Sequence, residues 1–548
     1  MATVAELLRQ GRKKELWQRC CGFLDLSLEE FMDIQRRLLL EQLEKLRNCE
    51  LGRRIMRGAE PRTVEEFREQ VPLTTYDDYA PFLLEKREDV LPEKPVAWQR
   101  TAGTSDAYHY KWAPVTKSFL EEMTPALFGM YLLSICRGRE DFDLPEKLRL
   151  LYLLAPPPYM TGTLGRKVAE DLDFFVKFIP PLEEAEQMPF EERVRKGFEQ
   201  ALEEGIDAIF GLASVLVAVG EKLSQNANPS SFVTILSSAL SRPRLFLRLA
   251  KATVKSRLAR RSLLPKDIWT IKGLMMGGTD AAVYKAKIQK MWGRPPLDVY
   301  GCTEGFFIAM QAWDYEGMTF LPHFNFLEFI PEDEHFKSKA DPSYQPQTLL
   351  LDELEPGKNY EVVFTNFLGG PFIRYRIGDM IKITSLTNEK LGIDIPQMVF
   401  HTRVDGIIEL VGLHSARLTE KIIWQAVENS GLKYVGWTAR KEVKAGNPVL
   451  NLYLELEENV HSNEEVAIII HEQLKRLNRE YADLEKFLGR KPLEVTIIPR
   501  GAFEEYISKQ RAYGADLAHL KPPHMNPPDN VIDALISSSL RSPFATPR

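Results

Sequence analysis

Cysteine is scarce: the 548 residues hold five, Cys20, Cys21, Cys49, Cys136 and Cys302, with no Cys-x-x-Cys pair. That pattern excludes a disulfide scaffold and a thiolate zinc site, and a reducing, cytoplasmic setting is expected. Histidine is scarce too. The nine residues show no ligand spacing, and HEQLK at His471 lacks the second histidine of a zinc-protease helix. There is no GxxxxGK[ST] loop, no GxGxxG fingerprint and no GxSxG elbow, which removes the main support for three common enzyme classes. Long apolar runs are missing as well. The longest lies within AIFGLASVLVAVG, residues 208–220, short of the about 20 residues a bilayer span needs. The start, MATVAELLRQ, becomes charged before an apolar run develops, unlike a secretory signal. A net charge of −6 gives no basic excess, so no nucleic-acid partner is expected.

What is present is an ordinary globular balance, 44% hydrophobic and 27% charged. Single cores stop growing near about 250–300 residues, so the length predicts a large unit plus a smaller one. The first seventy residues read as helical, with LSLEEFMDIQRRLLLEQLEKL at helical spacing. From Leu148 the pattern alternates. LRLLYLLAP and DAIFGLA read as buried strands, and EERVRKGFEQALEEG between them as an amphipathic helix ending at Gly205. FNFLEFIP, QTLLLDEL, YEVVFTN and DMIKITS read as strands of a smaller antiparallel sheet or barrel. Beyond Arg403, helices at LTEKIIWQAVENS and NEEVAIIIHEQLKRLNREY alternate with strands at YVGWTARKE, PVLNLYLEL and LEVTIIP. The expected fold class is α/β. A large N-terminal domain, residues 1–404, carries parallel sheets and a small antiparallel barrel; a small mobile α+β domain, residues 405–548, ends in a disordered-looking, proline-rich tail.

Three stretches carry chemistry. RTAGTSDAYHYKW, residues 100–112, sets Thr101, Thr104 and Ser105 around Gly103, a composition suited to phosphate, although Asp106 follows at once. In DVYGCTEGFF, residues 298–307, Tyr300 offers a flat face to a base and Gly301 lets backbone approach it. There Thr303 offers a hydroxyl to phosphate, and Glu304 is a hard oxygen ligand suited to Mg²⁺. In PFIRYRIGDMIKI, residues 371–383, Asp379 can accept hydrogen bonds from both ribose hydroxyls. Each stretch alone is also compatible with an ordinary turn.

In this order the three resemble the adenylate-forming ligase superfamily, whose next motif, an Arg-x-Asp hinge, is matched by HTRVDGIIELVG. LMMGGTD, with Gly277 and Gly278, resembles the glycine turn along the adenine plane. The resemblance narrows to the acyl-acid amido synthetases, the auxin- and jasmonate-conjugating enzymes and their bacterial relatives. FREQVPLTTYDDYAPFL resembles that family's lead-in, and PRGAFEEYISKQRAYGADLAHLKPPHMNPP its C-terminal signature.

The resemblance implies an enzyme that uses ATP and Mg²⁺ to convert a carboxylic acid to an acyl-adenylate. The acyl group then passes to an amine such as an amino acid, or to the thiol of coenzyme A. It implies that Thr101, Gly103, Thr104 and Ser105 hold phosphate and that Gly277, Gly278, Tyr300, Gly301, Asp379 and Arg403 bind the nucleotide. Thr303, Glu304 and Lys521 become the catalytic set, with Glu304 holding the metal, and Asp405 becomes the hinge of the small domain. Ser214 stands where the acid pocket begins in that family. A non-catalytic nucleotide- or acyl-binding protein is the reading of another class.

Residues 241–266, SRPRLFLRLAKATVKSRLARRSLLPK, contain no acid and place Arg244, Arg248, Lys251 and Lys255 on one helical stripe. Such a helix suits contact with an anionic membrane or with coenzyme A, and equally a solvated surface.

Overall fold

The structure is a computed structural model. It describes all residues except 1, 102–110, 226–242, 278–280, 342, 412–414, 445–446, 459–460, 480, 483–490, 513–523 and 538–548. The chain divides into two compact units. The larger comprises residues 1–101, 110–377 and 381–400; the smaller comprises 102–109, 378–380 and 401–548.

The larger unit begins with helices. In Leu28–Arg47 the Ser27 hydroxyl accepts the Glu30 N–H, and the Glu30 carboxylate accepts the Ser27 N–H, closing a capping box. Leu39, Leu43 and Leu46 then fall on one fully buried face. Buried Gln35 extends the contact by donating to the carbonyls of Pro322 and Asn325.

The strands of this unit are β1 (Ala97–Arg100), β2 (Trp112–Val115), β3 (Leu148–Tyr152), β4 (Val176–Ile179), β5 (Ala208–Gly211) and β6 (Gly273–Gly277). They continue as β7 (Leu297–Cys302), β8 (Phe306–Gln311), β9 (Met318–Phe320), β10 (Asn325–Pro331), β11 (Asn359–Asn366), β12 (Tyr375–Ser385) and β13 (Gln397–Arg403). β1 and β2 form a separate antiparallel pair; the rest form one sheet, in the order β10-β11-β12-β13-β9-β8-β7-β6-β5-β3-β4. Pairing is parallel from β4 through β7 and becomes antiparallel at β7/β8.

The α/β class is as expected, with one difference. The antiparallel strands expected as a separate barrel are hydrogen-bonded into the parallel sheet. The tight turn after β7 returns the chain beside itself, where a helical crossover would have kept it parallel. QTLLLDEL also differs. It contributes a single bridge, Phe329 to Leu349, and a 3₁₀ turn at Leu351–Glu353, because the Glu353 carboxylate accepts the Leu350 N–H and bends the chain.

Two buried ion-pair clusters pin β10 and β11 to the chain around β12. Glu328, fully buried, takes both oxygens to Arg374 at 2.8 and 3.0 Å. The remaining Arg374 N–H groups reach the carbonyls of Arg68 and Val71 and the Thr348 hydroxyl. Two residues on, Arg376 pairs with buried Glu361 at 2.7 Å, and His335 Nδ1 lies 2.6 Å from the same carboxylate. Burial alone would raise the Glu361 carboxyl; His335 and Arg376 outweigh it and hold it below its ordinary value.

The helix Pro243–Leu258 corrects the expected basic stripe. Arg248 is half-buried and donates to the carbonyls of Ala201 (3.0 Å) and Leu202 at the end of the helix Phe190–Glu204. It adds a charged donor at this helix end, where the Ala201 carbonyl also accepts the Gly205 N–H and the Trp269 indole N–H. Arg244's side chain lies outside the described residues. No helix among the described residues is long and apolar enough to cross a membrane.

In the smaller unit β14 (Ile407–Val411) pairs with β15 (Ser415–Thr419). A second sheet runs β16 (Tyr434–Lys444), β17 (Asn447–Leu456) and β18 (Leu493–Ile497). Part of the proline-rich tail is helical. Asp529–Ser537 is a helix whose Val531, Ile532 and Leu535 pack with Tyr453, Ile498 and Phe503. Residues 538–548 lie outside the described part.

On β16, burial would raise the Glu442 carboxyl, but hydrogen bonds from Tyr453, Arg440 and Asn451 outweigh it and hold it at about 2. A depressed carboxyl stabilises the folded state above its unfolded pKa and loses that contribution as pH falls through the folded value. This unit is therefore expected to lose stability between about pH 4.5 and 2. Near-UV circular dichroism during acid titration checks it: Glu442→Gln should flatten that part of the curve, and an unchanged curve would contradict the assignment.

Candidate active site

The turn after β7 is built for close approach. A Cβ on Gly301 would stand 2.2 Å from the Phe306 carbonyl oxygen, so only glycine fits beside the returning strand. Phe306 takes a positive φ of 59° as the chain reverses. Cys302 Sγ accepts the Gly305 N–H at 3.1 Å, and Asn366 Nδ2 donates to the Glu304 carbonyl at 3.0 Å. These bonds fix Thr303 and Glu304 at the end of a buried strand.

Glu304 is 8% exposed, and its Oε1 accepts the Tyr375 hydroxyl at 3.1 Å. Burial, with the Glu304 charge beside it, pushes the Tyr375 hydroxyl well above its ordinary pKa, so it stays a neutral donor. Lys111 Nζ stands 3.4 Å from the same hydroxyl and 5.2 Å from the Tyr76 ring centroid. Lys111 and Thr101 also close the base of the TAGTS loop. The Lys111 N–H donates to Thr101 Oγ1 at 3.1 Å, and the Thr101 N–H donates to the Lys111 carbonyl at 2.9 Å. Three stretches far apart in sequence thus meet at one hydroxyl.

The donor set fits a divalent ion. A buried carboxylate is costly unless compensated, and among the described residues Glu304 has a hydroxyl partner and no ion pair. Magnesium commonly takes one or two protein carboxylates and completes its shell with phosphate and water. Among the described residues no group of three or more His, Cys, Asp or Glu gathers as an all-protein cage.

The other expected residues are placed unevenly. Tyr300 is buried, its ring 6.0 Å from that of Phe400. Gly277 ends β6, where a Cβ would make only an ordinary 3.6 Å contact with Val299, so packing alone does not require glycine. In the smaller unit Asp379 lies 3.2 Å from Arg403, which keeps half its surface exposed. Gly378 ahead of it has φ +79°. Asp405 sits in the 3₁₀ turn Val404–Gly406 and Ser214 in the helix Ala213–Gln225, but both side chains lie outside the described part. Gly103, Thr104, Ser105, Asp106, Gly278 and Lys521 lie outside the described residues altogether.

Sequence reasoning missed Tyr375 and Lys111, although both stood in quoted motifs. Strand alternation was the available signal, since Tyr375 and Arg376 must face opposite sides of β12. It also missed Gln99. This side chain is fully buried, and neither amide atom has a hydrogen-bond partner among the described residues. It lines a cavity with Thr303, Glu304, Thr116 and Asn366.

Comparisons with known proteins bear on the family and the fold. Family models describe residues 21–157 as a GH3 family N-terminal domain, 318–403 as its central domain and 419–528 as its C-terminal domain. The YGCTEG turn falls between the first two. Jasmonoyl-L-amino acid synthetase JAR4 of Nicotiana attenuata is 29% identical over 296 residues, 50% of this chain and 48% of that protein. Indole-3-acetic acid-amido synthetase GH3.3 of Arabidopsis thaliana is 27% identical over 242 residues, 41% of this chain and 38% of that one. The chain spans no more than about half the length of these curated relatives. Among solved structures, AtGH3.15 acyl acid amido synthetase in complex with 2,4-DB superposes with a TM-score of 0.62 at 17% identity, covering 94% of this chain and 95% of that one. A 2-hydroxyisobutyryl-CoA ligase in the postadenylation state, in complex with 2-HIB-AMP, gives 0.56 at 14% identity, with 94% of each chain covered. At such identities the likeness is one of fold.

Proposed function

The chain belongs to the GH3 family, and on that premise we propose that it is an ATP-dependent ligase that activates a carboxylic acid as acyl-AMP and transfers the acyl group to an amino acid, forming an amide. The observation that carries the reading is the meeting of Lys111, Glu304 and Tyr375, each from a different motif of the adenylate-forming set, at one buried hydroxyl.

In this reading the acid attacks the α-phosphate of ATP, and Glu304 would hold Mg²⁺, which when bound would supply positive charge beside the phosphates. Tyr375 fixes the carboxylate's orientation through its hydroxyl. Thr101, Gly103, Thr104 and Ser105 bind the β- and γ-phosphates. Thr303 and Lys521 neutralise charge developing at the α-phosphate. Gly277, Gly278, Tyr300 and Gly301 accommodate the adenine, and Asp379 and Arg403 the ribose. Asp405 acts as the hinge between the two half-reactions, over domains divided at 404/405, and Ser214 stands near the acid. The five free cysteines accord with a reducing, cytoplasmic setting. Peripheral contact with an anionic membrane is a separate part of the reading.

The test is ATP–pyrophosphate exchange over a panel of carboxylic acids, with Mg²⁺ varied, followed by amino acids and then coenzyme A as acceptors. Acid-dependent exchange with amide product is the expected result. Thioester product would replace the amide reading by that of an acyl-CoA ligase. No exchange with any acid would leave a nucleotide- or acyl-binding protein.

A further inference from the structure

The helix Pro243–Leu258 carries apolar side chains on two opposite faces. Its inner face is accounted for: Leu249, Ala252 and Ser256 are buried against the larger unit. Its outer face is not. Leu247, Val254 and Leu258 are 67%, 57% and 80% exposed. The described residues include ten exposed large apolar side chains, and three of them share this one helix. At 3.6 residues per turn these three fall within an arc of about 40° and form a ridge about 16 Å long. Lys251 and Lys255 flank the ridge on one side and Arg257 on the other, with Arg260 just beyond the helix end. All four are exposed, and none has an ion-pair partner among the described residues. Residues 222–266 contain no Asp or Glu, in a chain whose net charge is −6.

We propose that this face is a docking surface for an anionic lipid bilayer. The chemistry matches an interfacial helix. A narrow aliphatic ridge enters the boundary between headgroups and acyl chains, and long basic side chains on both flanks keep their charges at the anionic headgroups. A protein partner fits less well. Protein interfaces bury roughly 800 Å² per side around aromatic or arginine anchors seated in pockets, and this ridge is a single row of aliphatic side chains. The unbroken positive charge also disfavours a second copy of the same face. This surface is independent of the proposed activity, and its test does not rest on catalysis.

The experiment is flotation of the full chain with vesicles of phosphatidylcholine alone and of phosphatidylcholine with about 30% phosphatidylserine, the latter within the anionic range that attracts basic helices. At 0.15 M salt the protein is expected to bind anionic vesicles at least tenfold more than neutral ones. At 1 M salt, where the screening length falls from about 8 to about 3 Å, that binding should be released. Two triple variants separate the contributions: Leu247→Ser/Val254→Ser/Leu258→Ser and Lys251→Glu/Lys255→Glu/Arg257→Glu. Each should cut binding tenfold or more while leaving the thermal melt and pyrophosphate exchange of the protein unchanged. Absence of flotation, equal binding to both vesicle types, or full binding by either variant would overturn the proposal. So would sedimentation showing a dimer that the serine variant abolishes, which would assign the ridge to a second copy of the chain.

Discussion

Glu304→Gln is expected to lower acid-dependent pyrophosphate exchange by roughly 10²–10³-fold, the usual scale for one group that stabilises transition-state charge. The same change should leave the fold intact. Glu304 is a buried carboxylate with a hydroxyl as its partner, and glutamine has nearly the same shape and can still accept the Tyr375 hydroxyl. Removing an under-compensated buried charge should hold the urea midpoint or raise stability by about 1 kcal/mol. Activity would then fall while stability holds or rises, a combination that a misfolded variant cannot imitate. If Glu304 holds the metal, the Mg²⁺ concentration for half-maximal exchange should also rise. Full exchange with unaltered Mg²⁺ dependence in Glu304→Gln would remove this residue from the metal site.

Much of the architecture was readable as periodicity. LRLLYLLAP and DAIFGLA fold as β3 and β5, and EERVRKGFEQALEEG as a helix that stops at Gly205, whose φ is +82°. Local pattern does not reveal which strands share a sheet, so the antiparallel strands looked like a separate barrel. Nor does it reveal which face of an amphipathic helix a neighbour covers. Arg248 reads as part of a basic stripe until the carbonyl end of the helix Phe190–Glu204 lies beneath it. The prolines before residue 529 hid the helix Asp529–Ser537, although Val531, Ile532 and Leu535 already had one-face spacing. At the site, motif order pointed to Glu304, while the residues that hold it in place needed the fold. Tyr375 comes from 71 positions away, and no periodicity connects the two.

Arg374→Met is expected to destabilise the larger unit by about 3–5 kcal/mol, the range for removing one partner of a buried ion pair. The RYRIGD motif drew attention for its aspartate, yet its first arginine is a structural clamp. Every N–H of Arg374 has a protein acceptor: the two Glu328 oxygens, the carbonyls of Arg68 and Val71, and the Thr348 hydroxyl. Methionine replaces the stem but leaves the fully buried Glu328 with a charge and too few donors. Arg68, whose Nε lies 4.0 Å from Glu328, is close enough to shift toward it and hold the loss near the lower end. The cost comes mainly from the stranded carboxylate, so adding Glu328→Gln should restore part of what Arg374→Met removes. Urea unfolding of the two single variants and the double variant gives the coupling directly. A double variant no more stable than Arg374→Met would show that the packing of the arginine stem, and not the buried charge, sets the strength of this clamp.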